Sequence, residues 1–171
     1  MKIIAESDRI YLRETSEVDA EDFYNLNSDP EVIKYTGDDA FEGVEATRDF
    51  LSKYDHFQKY KMGRWAVVLK ENEQILGWCG LKFHPEEDFV DLGFRIFQDQ
   101  WGKGYATEAS KLSLDYGFQL LGLESVVGRA DVRNEASIRV LEKLGMKEKG
   151  RAKEHGADII IMDVDKYSFL F

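Results

Sequence analysis

Residues 98–108 of the chain read QDQWGKGYATE and join a predicted strand to a predicted helix. The residues before them, FVDLGFRIF at positions 89–97, are rich in aromatic and branched side chains, which is typical of a strand. The stretch therefore predicts a strand–turn–helix unit whose turn contains Gly102 and Gly104. After the turn, apolar side chains recur at spacings of three and four, as on a buried helix: Ala106, Ala109, Leu112, Tyr116 and Leu120.

This turn has the chemistry of an anion-binding site. The first N–H groups of a helix have no partner within the helix, and the helix dipole adds partial positive charge there. Gly102 and Gly104 allow a close approach to the backbone, and Lys103 adds a cation. We expect a phosphate or pyrophosphate held mainly by backbone amides. An ordinary turn with two glycines is the alternative that spacing alone leaves open.

Two other phosphate-binding motifs do not match this turn. A Walker A loop needs glycine at the position of Phe97 and serine or threonine at the position of Gly104. The dinucleotide-binding pattern needs glycine or alanine three residues after Gly104, where Thr107 stands. The sequence thus excludes both motifs at this turn.

The composition predicts one globular domain covering residues 1–171. With 171 residues, of which 43% are hydrophobic, the chain is long enough to bury a core. The single cysteine, Cys79, excludes an internal disulfide and a cysteine-built zinc site, and we expect it in the core. We expect no bound metal. There is neither a secretory signal nor an apolar run of membrane-spanning length, so we expect a cytoplasmic protein that does not bind membranes.

The charge of the chain bears on its partners. A net charge of −10 argues against nucleic-acid binding, which needs a basic face. An acidic surface attracts cationic partners such as amines. The alternative is that the acidity only keeps the protein soluble.

The order of predicted elements indicates a mixed α/β (α+β) fold with helices on both faces of the sheet. Helices come before an antiparallel meander of three consecutive strands with short polar turns. Strand, helix, strand, helix and strand patterns then alternate along the rest of the chain. The predicted strands are 9–13, 65–70, 75–83, 89–97, 125–130, 146–153 and 159–169, and the predicted helices begin at Ser16, Val44 (ending at Tyr60), Ala106 and Asn134.

A second motif, NEASIRVLEKLGM, occupies residues 134–146. Its helical features, with Asn134 as N-cap and Gly145 as stop, account for most of it without any function. Its spacing nevertheless matches the second motif of the GNAT N-acetyltransferases, Asn-x-x-Ser/Ala-x-x-Val/Leu-x-x-Lys-x-Gly-Phe. The first motif of that family, Gln/Arg-Gly-x-Gly-x-Gly/Ala, matches Trp101–Ala106 with Trp101 as the one departure. The chain therefore resembles this family, and within it the branch that acetylates ribosomal-protein N-termini.

The resemblance implies a mostly antiparallel twisted sheet in which one parallel pair of strands is splayed. Acetyl-CoA would lie in the gap between the strand at 91–97 and the strand at 126–130. Its pantetheine arm would pair with the backbone of Phe94, Arg95, Ile96 and Phe97, and would accept or donate a hydrogen bond at Asn134. Its pyrophosphate would lie on the loop formed by Trp101, Gly102, Lys103, Gly104, Tyr105, Ala106 and Thr107.

The resemblance also implies direct attack of a neutral amine on the thioester in a ternary complex. A backbone N–H near Ile96 or Phe97 would stabilise the oxyanion. Many members of the family protonate the departing thiolate with a tyrosine, but here that position is Leu141. The ribosomal-type branch instead has a serine three residues after the motif Asn, which makes Ser137 the candidate donor; the alternative is a helix-start serine that bonds to its own cap. Asp91 is the candidate general base, and ordered water is the alternative.

The acceptor amine is not defined by the sequence. The resemblance suggests a protein N-terminus or a small, cationic amine. Trp65, Trp78, Tyr35 and Phe41 are candidates to line an acceptor pocket, although core packing explains the two tryptophans about as well. A homodimer remains open. The competing hypothesis is a non-catalytic acyl-CoA-binding or regulatory module of the same fold, supported by the missing tyrosine at Leu141.

Overall fold

A computed structural model describes residues 2–169 of the chain. Eight strands of the described residues form one sheet in the order β1-β2-β3-β4-β5-β6-β8-β7. All neighbouring strands are antiparallel except β5 and β6, which are parallel. The strands are β1 Ile3–Glu6, β2 Ile10–Arg13, β3 Arg64–Leu69, β4 Ile75–His84, β5 Phe89–Ile96, β6 Ser125–Asp131, β7 Lys147–Glu154 and β8 Ala157–Asp165. The predicted mixed sheet with one parallel pair is confirmed.

Six α-helices of the described residues flank this sheet. Helix α5 continues into a π-helical segment at Tyr116–Leu120, and short 3₁₀ turns precede α1 and follow β5, at Glu17–Asp19 and Gln98–Gln100. The helices are α1 Ala20–Ser28, α2 Pro30–Ile33, α3 Val44–Lys53, α4 His56–Tyr60, α5 Tyr105–Asp115 and α6 Glu135–Lys143.

Each face of the sheet has its own apolar layer. One face carries the larger core, in which strand residues such as Leu12, Leu81 and Val126 are fully buried with Leu114 of α5. On the other face, α1 and α3 cover a smaller cluster made of Ala20, Phe23, Leu51, Ala66 and Val68. Because successive side chains of a strand point to opposite faces, β3 contributes Val67 to the first layer and Val68 to the second.

The parallel pair is short, and this creates the main opening in the sheet. Strands β4 and β5 are in register over eight positions, whereas β5 and β6 pair only at Asp91 with Val127 and at Leu92 with Gly128. Beyond Leu92, the edge of β5 that faces β6 has no paired strand within residues 2–169. The two strands therefore separate toward the turn at residues 98–108.

Two sequence predictions about the elements were wrong. The strand expected at residues 9–13 is confirmed as β2, Ile10–Arg13, but its place as the first strand was wrong, because β1 precedes it. The helix expected from Val44 to Tyr60 is two helices, because Tyr54 has an extended backbone with φ −73° and ψ 106°. The Tyr54 hydroxyl accepts a hydrogen bond from the Arg64 N–H at 2.9 Å, a tertiary contact that local helix propensity does not reveal.

Candidate active site

A cleft of about 800 Å³ opens where β5 and β6 separate. One wall is the turn after β5 and the start of α5, and the opposite wall is the end of β6 with α6. The third side is formed by α2 and the residues that follow it, Lys34–Thr36. The two sequence motifs thus lie on facing walls of one cleft.

The turn at the start of α5 has the backbone that its glycines require. Gly102 and Gly104 have φ values of 77° and 85°, in the left-handed region that favours glycine. Gly104 is the N-cap and supplies no capping side chain. The first hydrogen bond of the helix runs from the Glu108 N–H to the Gly104 carbonyl at 3.0 Å. The preceding amides, from Tyr105 to Thr107, therefore have no intrahelical acceptor and remain available to an anion.

The β1–β2 turn fixes this loop from outside the cleft. The Arg9 guanidinium donates to the Lys103 carbonyl at 3.1 Å and forms an ion pair with Glu108. Ser7 donates to the same carboxylate at 2.7 Å. Burial alone raises the pKa of Glu108, but the bonds from Arg9 and Ser7 outweigh it and hold the pKa below its ordinary value. Glu108 therefore anchors the loop, and sequence spacing gave no sign of its partner Arg9.

The backbone groups at the end of β5 and at Phe97, the residue after it, point alternately toward β4 and toward the cleft. The Phe97 N–H donates to the Leu76 carbonyl and its own carbonyl accepts from Gln100, both at 2.9 Å. Because antiparallel ladders alternate, Arg95 also directs its backbone toward β4, whereas Ile96 and Phe94 direct theirs toward the cleft. The prediction that the Phe97 backbone pairs with the pantetheine arm was wrong, because its N–H and its carbonyl already have partners.

Trp101 closes the turn against the strand. Its indole N–H donates to the Ile96 carbonyl at 2.7 Å, while 47% of the residue remains exposed. Because the Ile96 carbonyl accepts this bond, the Ile96 N–H is the remaining backbone group of this residue that faces the cleft.

The start of α6 presents a polar corner to the cleft. The Asn134 side chain accepts a hydrogen bond from the Ser137 N–H at 3.2 Å and so caps the helix. The Ser137 hydroxyl has no hydrogen-bond partner within residues 2–169 and lines the cleft. One turn further, Leu141 also lines the cleft but is only 2% exposed, because it packs against Gly128 of β6.

Asp91 lies at the point where β5 and β6 part, and it is surrounded by two arginines and a histidine. Its carboxylate bonds Arg64 at 2.6 Å, His84 at 2.7 Å and Arg129 at 3.3 Å. Burial raises the pKa of Asp91, but the charge of Arg64 and the bonds from His84 and Arg64 outweigh it, so the pKa lies below the ordinary 3.8. A carboxylate held in this way is a poor proton acceptor, which argues against the predicted role of Asp91 as general base.

The α1-covered side of the cleft is built from arginine and tryptophan. In the sheet, Arg64 of β3 pairs with Gly80 of β4, which in turn pairs with Gly93 of β5. Because neither glycine has a side chain, the Arg64 side chain lies across both of them and reaches β5. In the next row of the sheet, Trp78 is paired with Arg95. The ring centroid of Trp78 lies 5.2 Å from the guanidinium carbon of each arginine.

The aromatic residues considered for an acceptor pocket lie in different places. Trp78 and Tyr35 line the cleft, and the Arg133 guanidinium lies 5.2 Å from the Tyr35 ring centre, joining two of its walls. Trp65 belongs to the core at 1% exposure. Phe41 packs against Phe50 at 5.5 Å between ring centroids and is not among the residues that line the cleft.

Some expectations concern residues outside the cleft. Cys79 is fully buried beside two serine hydroxyls, as expected of a core residue. Within residues 2–169, no group of three or more His, Cys, Asp or Glu side chains is arranged to hold a metal ion. Over the same range, none of the helices combines the length and the apolar character that crossing a bilayer requires.

The chain was compared with known proteins. It is 29% identical over 167 residues to the uncharacterized N-acetyltransferase p20 of Bacillus licheniformis, covering 96% of this chain and 94% of that protein. The crystal structure of a GNAT-family acetyltransferase from Bacillus anthracis superposes with a TM-score of 0.83 at 24% identity, covering 97% of this chain and 99% of the other. A spermidine N-acetyltransferase from Vibrio cholerae, solved in complex with CoA and spermine, superposes with a TM-score of 0.81 at 20% identity, covering 95% and 98%.

The family assignment rests on the sequence as well as on the shape of the fold. The sequence model of the acetyltransferase (GNAT) domain matches residues 9–147, which include both motifs completely. The expected resemblance is confirmed at the level of the family, while the ribosomal-protein branch remains a prediction. The chain belongs to the GNAT acetyltransferase family.

Proposed function

We propose that this protein transfers the acetyl group of acetyl-CoA to the nitrogen of a primary amine. The observation that carries the proposal is the coincidence of two features in one cleft. The unpartnered amides at the start of α5 lie at one end, and the unpaired edge of β5 runs from there toward Asp91. A pyrophosphate fits the first feature and an extended amide-containing arm fits the second.

In this proposal the cofactor is held mostly by backbone. Amides of the loop from Gly102 to Thr107 bind the pyrophosphate, with Lys103 as an exposed cation at its rim. The cleft-facing backbone of Phe94 pairs with the pantetheine arm, and the Asn134 amide group supplies a further hydrogen bond. Trp101 contributes by fixing the loop, since its indole N–H is bonded to Ile96.

The chemical step needs stabilisation of an oxyanion and protonation of a thiolate. We assign the first task to the Ile96 N–H, which faces the cleft while the Phe97 N–H is bonded to Leu76. We assign the second to the Ser137 hydroxyl, which lines the cleft at the N-terminus of α6. Water takes the proton of the attacking amine, because the lowered pKa of Asp91 makes that carboxylate a weak base.

The experiment is turnover of acetyl-CoA by the full chain over a panel of amines, with the acetylated product identified by mass. The panel contains a peptide N-terminus, a polyamine, an amino acid and an aminoglycoside. Release of CoA thiol together with an acetylated amine supports the proposal. Acetyl-CoA binding without turnover of any amine would instead support the non-catalytic acyl-CoA-binding module. One catalytic domain over residues 1–171, a cytoplasmic location and a homodimer remain predictions.

A further inference from the structure

The α1-covered side of the cleft carries a pair of guanidinium groups that the chemistry proposed above does not use. Arg64 reaches this place because both residues beside it in the sheet row, Gly80 and Gly93, lack side chains. A Cβ on Gly93 would lie 2.8 Å from the Arg64 guanidinium carbon, so the side chain rests directly on the strand. Trp78 lies between Arg64 and Arg95 and contacts both through its ring.

The carboxylates paired with Arg64 and Arg95 differ in burial, so they neutralise the two guanidinium groups to different extents. Asp91, with 9% of its side chain exposed, is the well-buried counter-ion, and it is shared by Arg64, Arg129 and His84. Arg95 has 14% of its side chain exposed, whereas its ion-pair partner Asp38 has 58% exposed. An exposed carboxylate offsets a nearly buried cation only weakly, because solvent screens it. Arg129 is also paired with Glu154, so Arg95 is the guanidinium of this group whose charge is offset chiefly by one exposed carboxylate, Asp38.

The groups that Arg95 binds in the structure indicate the kind of ligand that this part of the cleft accepts. One nitrogen of its guanidinium donates to the Asn27 side-chain oxygen at 2.7 Å, and another donates to the Asp38 carboxylate. Asn27 lies on α1 and is buried, whereas Asp38 lies in the exposed loop after α2. A planar guanidinium is suited to binding a carboxylate through paired hydrogen bonds. Asp38 thus occupies the position that a ligand carboxylate would take.

We propose that Arg95, with Arg64 and Trp78, forms a carboxylate-binding subsite, so that the acceptor is a small amine that also carries a carboxylate. The proposal rests on the proposed acetyl transfer and specifies its acceptor. The carboxylate binds Arg95 in place of Asp38, and the amino group of the same molecule points along the cleft toward the Ile96 N–H. A polyamine has no group that these arginines can bind, and its charges would be repelled by them.

The test uses wild-type protein with saturating acetyl-CoA and matched acceptors. Each amino acid is compared with its methyl ester and with its decarboxylated amine: alanine with ethylamine and phenylalanine with phenethylamine. We expect kcat/KM to be about ten- to hundredfold higher for the free carboxylate, the usual effect of losing a hydrogen bond to a charged group. Equal or faster reaction of the esters and simple amines, or a preference for spermidine, would overturn the proposal. A preference for 2-aminoethyl phosphate over the carboxylates would overturn the assignment of a carboxylate.

Variants locate the effect at the subsite. Arg95→Gln should abolish the preference for the carboxylate while acetyl-CoA affinity stays unchanged, because its side chain lies away from the loop that holds the pyrophosphate. Asp38→Asn should lower KM for the amino acid, because it removes a competing carboxylate. Arg48→Gln, which removes an arginine paired with Glu45 on α3, is the matched control and should keep the preference. A preference that survives Arg95→Gln would refute the subsite.

Failure of the proposed function has a different signature. If acetyl-CoA binds and no amine of any kind is acetylated, the acetyl transfer itself is refuted. If amines are acetylated without regard to the carboxylate, only the subsite is refuted. The comparison of wild-type rates decides this even where a variant at Arg95 does not fold.

Discussion

The two halves of the cleft are built by different means. At the start of α5 the groups that face the cleft are backbone amides, and the residues that matter most there, Gly102 and Gly104, have no side chains. Around Asp91 and Arg95 the groups are charged side chains from several strands and a loop, together with the neutral amide of Asn27 on α1. A backbone site requires correct local geometry, whereas a side-chain site requires distant parts of the chain to meet.

This difference determines how each half responds to substitution. In the backbone half, most side chains are free to change and the glycines are not. In the side-chain half, removing one member leaves its partners charged and partly buried, so stability and specificity are lost together. Substitutions in either half therefore test this contrast.

The largest effect is expected for Asp91→Ala. It leaves Arg64 and Arg129 without their buried counter-ion, and breaking a buried ion pair typically costs about 3–5 kcal/mol of unfolding free energy. Urea denaturation measures the loss. Asp49→Ala, which breaks an exposed pair with Lys53, is the control and should cost at most about 1 kcal/mol. Equal losses for the two variants would contradict the contrast.

The Asp91 contribution also has a defined pH dependence. Its pKa is lowered in the folded protein, so the unfolded chain binds the proton more readily. The stabilisation is therefore complete above the ordinary pKa of 3.8 and is lost as the pH falls through the folded-state pKa. The difference between wild type and Asp91→Asn should accordingly shrink below pH 3.8.

The second-largest effect is expected at Ser137. Ser137→Ala should lower kcat about 10²-fold, the lower end of general acid catalysis, because the hydroxyl acts on the departing thiolate. Acetyl-CoA affinity, measured by titration calorimetry, should not change. Ser52→Ala, on exposed α3, is the matched control and should leave both quantities unaltered. Wild-type turnover of Ser137→Ala would show that the thiolate proton comes from water.

A smaller effect is expected for Gly104→Val in the backbone half. The side chain should block the approach of the pyrophosphate and weaken acetyl-CoA binding at least about tenfold, or 1.4 kcal/mol. Gly156→Val is the matched control, since Gly156 has a similar φ of 78° against 85° and lies in the open β7–β8 turn. It should strain the backbone without changing affinity. Equal affinities in folded variants would remove the loop from the cofactor site.

The smallest effect is expected for Trp101→Phe. The variant loses the hydrogen bond to the Ile96 carbonyl, and a neutral hydrogen bond contributes about 0.5–1.5 kcal/mol. Acetyl-CoA affinity should therefore fall about two- to tenfold by calorimetry. A loss as large as that of Gly104→Val would mean that a side chain governs the backbone half, and the contrast between the halves would fail.

Much of the backbone half could be predicted from the sequence. The strand, the two glycines, the helix and the N-cap at Asn134 each follow from residues that are close together along the chain. Two details could not be predicted. Phe97 donates to Leu76 of β4, and Leu141 packs against Gly128 of β6, so both depend on neighbouring strands.

Local spacing along the chain is enough to predict the strand–turn–helix unit, the second helix and hence the family, because helix starts and glycine turns depend on spacings of a few residues. The chemistry of the other half depends on contacts between distant parts of the chain. The Arg64–Asp91 bond joins residues 27 apart, and the Arg95–Asn27 bond joins residues 68 apart. The pairing register of three strands places Arg64 over two glycines and Trp78 beside Arg95. A shift of one residue in that register would turn those side chains to the opposite face, and no local pattern in the sequence specifies it.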